Sequence, residues 1–218
     1  MATNVASGCV KNMSGSAVVT INPLPASYTV SGGGSYCAGG TGLDIQLSGS
    51  VTGISYQLYN GGVPVGSAMA GTGSMIDFGN QTAAGTYTVV AVNATTSCTS
   101  NMTGNATITI NPLPSTFNVT GGGAYCSGGA GVVIGLSGSQ SGVNYQLYVG
   151  STATGAPLAG TGSALDFGLK TTDGVYSVLA TNATTSCLRN MTGTATVVTN
   201  PLPTTYTMPG GGSYCSAG

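Results

Sequence analysis

Residues 85–111 read GTYTVVAVNATTSCTSNMTGNATITIN, and this stretch decides the fold. From Gly85 to Asn93 the side chains alternate with the period of two that marks a β-strand. Tyr87, Val89 and Ala91 fall on one face, and Thr88, Val90 and Val92 on the other. Both faces are fairly apolar, so the strand is either central and covered on both sides, or it turns one face to a neighbouring subunit. After the cysteine-bearing turn a second strand follows. Here Ala106, Ile108 and Ile110 are expected to face inward, while Thr107 and Thr109 face out.

Eighty-nine residues on, the same stretch returns as GVYSVLATNATTSCLRNMTGTATVVTN, residues 174–200. The whole chain obeys this period without insertion or deletion. NPLP begins at Asn22, Asn111 and Asn200, GGG-x-YC begins at Gly32, Gly121 and Gly210, and YQLY begins at Tyr56 and Tyr145. Between residues 26–114 and 115–203, 50 of 89 positions are identical. A solenoid coil has a repeat of about 20–50 residues, so 89 is too long for one. It suits a complete small β-sandwich of about 100 residues. The reading is therefore all-β, with tandem immunoglobulin-like sandwiches at 26–114 and 115–203. Residues 1–25 are expected to be the C-terminal part of a preceding repeat, and 204–218 the start of a following one. The NPLP segments (Asn22, Pro23 and Pro25; Asn111, Pro112 and Pro114; Asn200, Pro201 and Pro203) are read as rigid linkers.

Within the first repeat the alternation places strands at about 27–31, 43–48, 54–59, 74–78, 85–93 and 103–110, with a weaker edge strand near 63–69. Gly-rich turns separate them, and no segment has a helical period.

Composition excludes several classes of function. Of 218 residues only three are Lys or Arg and four Asp or Glu, so charged residues make up 3% of the chain. Neutralising phosphates takes clustered cations, which rules out a nucleic-acid partner, and a basic membrane patch fails for the same reason. No run approaches the roughly 20 apolar residues of a membrane span. The N-terminus lacks the charged and apolar regions of a signal peptide, so any export signal is expected outside this sequence. There is no histidine to serve as a base beside the many serines. One repeat has Asp44 and Asp77, the other Asp166 and Asp173, and only Asp77 and Asp166 share a register. Each of that pair precedes Phe-Gly and is read as a turn or strand-end acceptor. One aspartate per repeat in register cannot cage calcium, and Lys170 aligns with Gln81. No catalytic residue, metal or cofactor is expected.

The run GTYTVVAVNATTSC followed by NMTGNATITINPLP, the opening YCAGGTGLDIQLSGS and the central YQLY together resemble bacterial immunoglobulin-like and PKD-like domains. They are similar in particular to the tandem repeats of very large surface adhesins and fibre proteins secreted by Bacteroidetes-type bacteria. The resemblance covers both full copies. Members of that group carry Trp after YQ in the middle strand, where this chain has Leu58 and Leu147, with the paired tyrosines standing in for it. The resemblance implies an extracellular, structural or adhesive β-sandwich without enzymatic activity.

Cys9, Cys37, Cys98, Cys126, Cys187 and Cys215 are spaced 28, 61, 28, 61 and 28 apart. With no CxxC pair and no histidine they do not read as a zinc site; they read as disulfides of an oxidising compartment. Connectivity is open. Pairing within each repeat gives Cys37–Cys98 and Cys126–Cys187, each closing a 61-residue loop for about 4 kcal/mol, and leaves Cys9 and Cys215 to bond between subunits. Pairing across the junctions gives Cys9–Cys37, Cys98–Cys126 and Cys187–Cys215. The first is favoured.

Three functions fit this reading. One is a subunit or segment of an extracellular filament or stalk, held by self-association or by covalent continuation of the chain. Another is an adhesin that meets a glycan or host surface through pole loops, for which 60–69 and 149–158 are candidates because they differ most between copies. The third is a set of spacer repeats in a larger secreted protein.

Overall fold

The computed structural model describes residues 1–213, 215 and 216, and every regular element among them is a β-strand. β1 (Ala2–Thr3) and β2 (Val10–Lys11) form a short antiparallel hairpin. The first repeat contributes β3 (Val30–Gly32), β4 (Gly34–Cys37), β5 (Leu43–Leu47), β6 (Ile54–Asn60), β7 (Val63–Ala70), β8 (Ile76–Gln81), β9 (Gly85–Asn93), β10 (Thr99–Asn101) and β11 (Ala106–Asn111). The second contributes β12 (Val119–Gly121), β13 (Gly123–Cys126), β14 (Val132–Leu136), β15 (Val143–Val149), β16 (Thr152–Ala159), β17 (Leu165–Lys170), β18 (Gly174–Asn182), β19 (Leu188–Asn190) and β20 (Ala195–Asn200). The strands fall into two compact units. Unit 1 is Met1–Tyr36 with Gly40–Thr109, and unit 2 is Cys37–Gly39 with Ile110 onward.

Each sandwich stacks a three-stranded sheet on a larger one. In the first repeat the orders are β3-β5-β8 and β4-β11-β9-β6-β7, with β10 also on β9. In the second they are β12-β14-β17 and β13-β20-β18-β15-β16, with β19 on β18. Alternation along each strand aims one face into the space between the sheets. Val30, Ile45, Leu47 and Ile76 of the small sheet meet Tyr56, Leu58, Tyr87, Val89, Ala91, Ala106 and Ile108 of the large one. The equivalent set in unit 2 includes Ile134, Leu136, Tyr145, Leu147, Tyr176 and Val178. Tyr56 and Tyr145 are fully enclosed, so tyrosine takes the place of a tryptophan anchor. Each hydroxyl then has a partner, as a buried polar group requires: Tyr56 accepts from Val51 N (3.0 Å) and Tyr145 from Gln140 N (2.8 Å).

Tyr87 and Tyr176 each donate their hydroxyl to a backbone carbonyl four residues back, Ala83 and Thr172 (both 2.8 Å). This is the tyrosine corner of immunoglobulin-like sandwiches. The small-to-large sheet transfer is made by glycine. Gly32, Gly33 and Gly34 all have positive φ (103°, 74° and 127°), and a Cβ on Gly33 would sit 2.6 Å from the Thr107 carbonyl oxygen. An L-residue is strained in this region, so three glycines in a row let one strand leave the first sheet as β3 and join the second as β4.

β9 is a central strand with one face buried; Val90 and Val92 on the other face are half-buried and Thr88 is exposed. The edge strand expected near 63–69 is a full eight residues, β7. The expectation for Ile110 is corrected. β11 and β9 stop pairing at Ile108↔Gly85, so Ile110 runs past the end of its neighbouring strand and is 36% exposed.

Candidate functional site

A single disulfide forms among the described residues, Cys37–Cys187, with Cα atoms 5.6 Å apart and 150 residues between them in sequence. The in-repeat pairs Cys37–Cys98 and Cys126–Cys187 are not made, nor are the junction-spanning pairs, nor a Cys9–Cys215 bond. Cys9, Cys98, Cys126 and Cys215 are unpaired among the described residues.

Strand length explains the failure of in-repeat pairing. In the second repeat β13 runs parallel to β20, which brings Cys126 opposite Asn200, while β20 pairs β18 with Gly174↔Val197. Cys126 therefore lies beyond the Gly174 end of β18, and Cys187 lies beyond its Asn182 end. Nine residues of strand span about 30 Å, whereas a disulfide tolerates no more than about 7 Å between Cα atoms. The first repeat is arranged alike: Ala38 N donates to Asn111 O (2.9 Å), so Cys37 stands at the Gly85 end of β9 and Cys98 at its Asn93 end. Cys37, the last residue of β4, is counted in unit 2 and bonds Cys187.

The turn that carries Cys187 is closely specified. Asn182 Oδ1 accepts from Thr184 N (2.9 Å) and Thr185 N (3.0 Å). Ser186 N donates to Asn182 O and Asn182 N to Cys187 O, both 2.9 Å. Ser186 sits at φ 58°. Asn side chains favour this capping of their own turn, which is the physical role of the Asn in NATTSC.

Of the linker residues, Asn111 and Asn200 close β11 and β20. Their carbonyls accept from Ala38 N and Ser127 N (2.9 and 2.8 Å). Pro25 and Pro114 are buried, while Asn22, Pro23, Pro112, Pro201 and Pro203 are exposed. Arg189 Nη1 donates to Pro114 O (3.2 Å), and the Cys98 Sγ lies 4.0 Å from Asn22 O. Tyr214, Ala217 and Gly218, in the segment read as the start of a following repeat, lie outside the described residues.

The two divergent segments are hairpins and edge strands rather than pole loops. In 60–69 a Gly61-Gly62 turn with φ of 57° and 84° joins β6 to β7, and 149–158 holds the corresponding turn and most of β16. Both hairpins are bulged, with the register shifting between Tyr56 and Leu58 and between Tyr145 and Leu147. The glutamine of YQLY fills the bulge. Gln57 Nε2 donates to Leu58 O, Val65 O and Gly66 O (2.9–3.4 Å), and Gln146 Nε2 to Leu147 O, Thr154 O and Gly155 O (2.9–3.2 Å). With Pro64 and Pro157, these bulges guard edges that carry no charge. Beside the unit 2 bulge lies an open cavity of about 230 Å³, lined by Thr154, Gly155, Ala156, Leu158, Asp166, Phe167 and Lys170.

Asp77 and Asp166 are strand-end acceptors, taking Gly79 N and Gly168 N (2.6 and 2.7 Å). Asp44 and Asp77 are nevertheless brought together on β5 and β8, a juxtaposition unit 2 lacks because Val133 replaces Asp44. The Asp44 carboxyl is raised above its ordinary value of 3.8, by burial first and then by the hydrogen bond and charge of Asp77, against the Gln46 amide and the Ile45 N–H, which lower it. Its buried Oδ1 has no donor, which a proton shared with Asp77 would supply. Burial likewise raises the Tyr56 and Tyr87 hydroxyls. Among the described residues no group of three or more His, Cys, Asp or Glu is placed to hold a metal ion, and no helix is long and apolar enough to cross a membrane.

A known family agrees with this architecture over the first repeat. The family described as "Ig-like domain CHU_C associated" matches residues 25–112. No curated protein matches the chain. Solved structures that resemble it include the human OSCAR ligand-binding domain (12% identity, 80% of this chain and 100% of that one, TM-score 0.34). The fibronectin(III)-like modules of Clostridium thermocellum CbhA resemble it at 14% identity, over 78% of this chain and 95% of that one, with a TM-score of 0.36.

Proposed function

We propose that the chain, whose residues 25–112 match the family of CHU_C-associated immunoglobulin-like domains, is a segment of an extracellular filament or stalk whose repeats are stacked end to end. The observation that carries this reading is the Cys37–Cys187 bond. It joins β4 of one sequence repeat to a turn of the next, so it serves continuity along a series more than the closure of one sandwich. Disulfides persist in oxidising compartments, which supports placement outside the cell. The edges support growth along the chain direction: β7 and β16 lack charged residues, but Pro64, Pro157 and the bulges oppose lateral pairing. Electron microscopy of the secreted protein at native concentration tests this. Filaments that lose order when reduced are the expected result, and monodisperse globules in the absence of reductant refute it.

A second reading, adhesion, is favoured by the unit 2 cavity. The aromatic ring, carboxylate and ammonium group of Phe167, Asp166 and Lys170 on β17 line the cavity together with β16 residues of a hairpin that differs between the copies, and such a set suits a small glycan. Glycan-array binding that is lost in Phe167→Ala supports it, and a blank array removes it.

A further inference from the structure

The bonded pair obeys an arithmetic that the unpaired cysteines share. Its separation of 150 residues is one in-repeat cysteine spacing of 61 plus one full period of 89. The first cysteine of a repeat is thus joined to the second cysteine of the repeat that follows. Cys126 is the first cysteine of its repeat, as Cys37 is, and Cys98 the second, as Cys187 is.

Local structure at the unpaired positions copies that at the bonded ones. Cys126 ends β13 as Cys37 ends β4, and Ser127 N reaches Asn200 O at 2.8 Å where Ala38 N reaches Asn111 O at 2.9 Å. Around Cys98, Asn93 Oδ1 accepts from Thr95 N (2.9 Å) and Thr96 N (3.1 Å). Ser97 N donates to Asn93 O and Asn93 N to Cys98 O, both 2.9 Å, and Ser97 has φ 56°. The turn at Cys9 is built the same way on Asn4, with Gly8 at φ 66°. Three copies of one turn present their cysteine identically, and the one that meets a first-position cysteine is bonded. Ser97 and Ser186 hold a left-handed conformation that costs roughly 1–2 kcal/mol for an L-residue, so the shape is retained whether or not the bond is made. Both unpaired thiols are accessible, Cys126 exposed and Cys98 half-buried.

We propose that Cys126 and Cys98 are open halves of this same staple. Cys126 bonds the NATTSC-type cysteine of a following repeat of this kind, and Cys98 the GGG-x-YC cysteine of a preceding one, giving a ladder in which every repeat is covalently tied to the next. The partner is a second copy of this repeat, supplied by the same chain or by a neighbouring one. Chemically, two thiols form one S–S bond. They give two protons and two electrons to an external disulfide such as oxidised glutathione, whose S–S bond breaks to leave two thiols. The proposal rests on the reading of the chain as one stretch of stacked repeats, and its test reads connectivity rather than assembly.

The experiment appends a copy of residues 130–218 to the C-terminus, which completes a third repeat, and folds the chain in a glutathione redox buffer. Unreacted thiols are then alkylated. Pepsin digestion at low pH suits a chain with three Lys and Arg and prevents exchange before mass mapping. The expected map retains Cys37–Cys187, which reports that the repeats have folded, and shows Cys126 bonded to the appended copy of Cys187. Cys126→Ser should free that appended cysteine and leave Cys37–Cys187 intact. Non-reducing electrophoresis separates the sources, since a same-chain bond leaves a monomer and a bond to a neighbour gives a reducible dimer. Alkylated Cys126 in a chain that holds Cys37–Cys187, or Cys126 bonded to any first-position cysteine, overturns the proposal. Filaments seen without this bond would overturn the ladder and leave the filament reading standing.

Discussion

Removing the Cys37–Cys187 bond should destabilise the chain by an amount set by loop length. For unfolding of everything between the two cysteines the closed loop is 150 residues, and the chain-entropy model gives about 5 kcal/mol. If the first sandwich stays folded, the Ala38–Asn111 hydrogen bond holds Cys37 beside Asn111. The loop then shrinks to residues 111–187, and the same model gives about 4.5 kcal/mol. The logarithm makes the two cases nearly equal, so the expectation does not depend on which unit unfolds first. With a guanidinium m-value of about 4 kcal/mol/M for a unit of this size, the midpoint should fall by about 1 M. The comparison is the Cys37→Ala, Cys187→Ala double variant against the oxidised parent. It is followed by tyrosine fluorescence and far-UV circular dichroism, since the chain has 11 Tyr and no Trp. Parent protein kept reduced retains the buried Cys187 sulfur, so its difference from the double variant isolates that packing contribution. Cys98→Ala and Cys126→Ala in the 218-residue chain are expected to leave the midpoint unchanged. If either lowers it as far as the double variant does, or the double variant moves it by less than about 0.3 M, the connectivity described here is refuted.

Tyr87→Phe and Tyr176→Phe each remove one corner hydrogen bond and should cost about 1 kcal/mol apiece; denaturant melts showing clearly different losses would mean the corners are not equivalent. Gly33→Ala places a Cβ against the Thr107 carbonyl at φ 74° and should cost more than about 1 kcal/mol, read as a lowered midpoint, whereas an unchanged midpoint would mean the sheet transfer needs no glycine there. Because the Asp44 carboxyl is raised in the fold, the native state holds its proton more tightly than the unfolded chain, so its contribution to stability falls as pH rises upward from 3.8 through the raised value. Asp44→Val, which copies Val133, should therefore raise stability at pH 7, leave it little changed at pH 3 and flatten the slope between them; urea melts across that range in which the slope persists would assign it elsewhere.

Most of the sandwich could be read from the sequence because burial on one face imposes a period of two. β5, β6, β7 and β9 lie where the alternation placed them, and the buried set Tyr87, Val89, Ala91 is one face of GTYTVVAVN. What escaped detection lacked that periodicity. β4 and β13 are four-residue strands hidden behind glycines that look like turn residues, and only the three positive φ angles reveal that these glycines carry the chain between sheets. β10 and β19 are three residues long, too short to alternate. Ile110 alternates correctly yet is exposed, because the period fixes a face and not where the neighbouring strand ends.

The disulfide differs from the favoured in-repeat pairing for a related reason. Pairing within a repeat closes the shorter loop and satisfies the expectation that a small domain staples itself, but it ignores direction along the strand. A cysteine after the parallel strand beside Asn111 and a cysteine in the turn after Asn93 lie at opposite ends of nine residues of β9, about 30 Å apart. The 61-residue spacing therefore argues against the pair it first suggested. Once β9 is taken as one uninterrupted strand, a first-position cysteine has no partner within its own sandwich, and the 150-residue separation is the shortest that joins it to a second-position cysteine of a later repeat. In the one bond formed among the described residues, a first-position cysteine is joined to a second-position cysteine of the other sequence repeat and not to the one in its own.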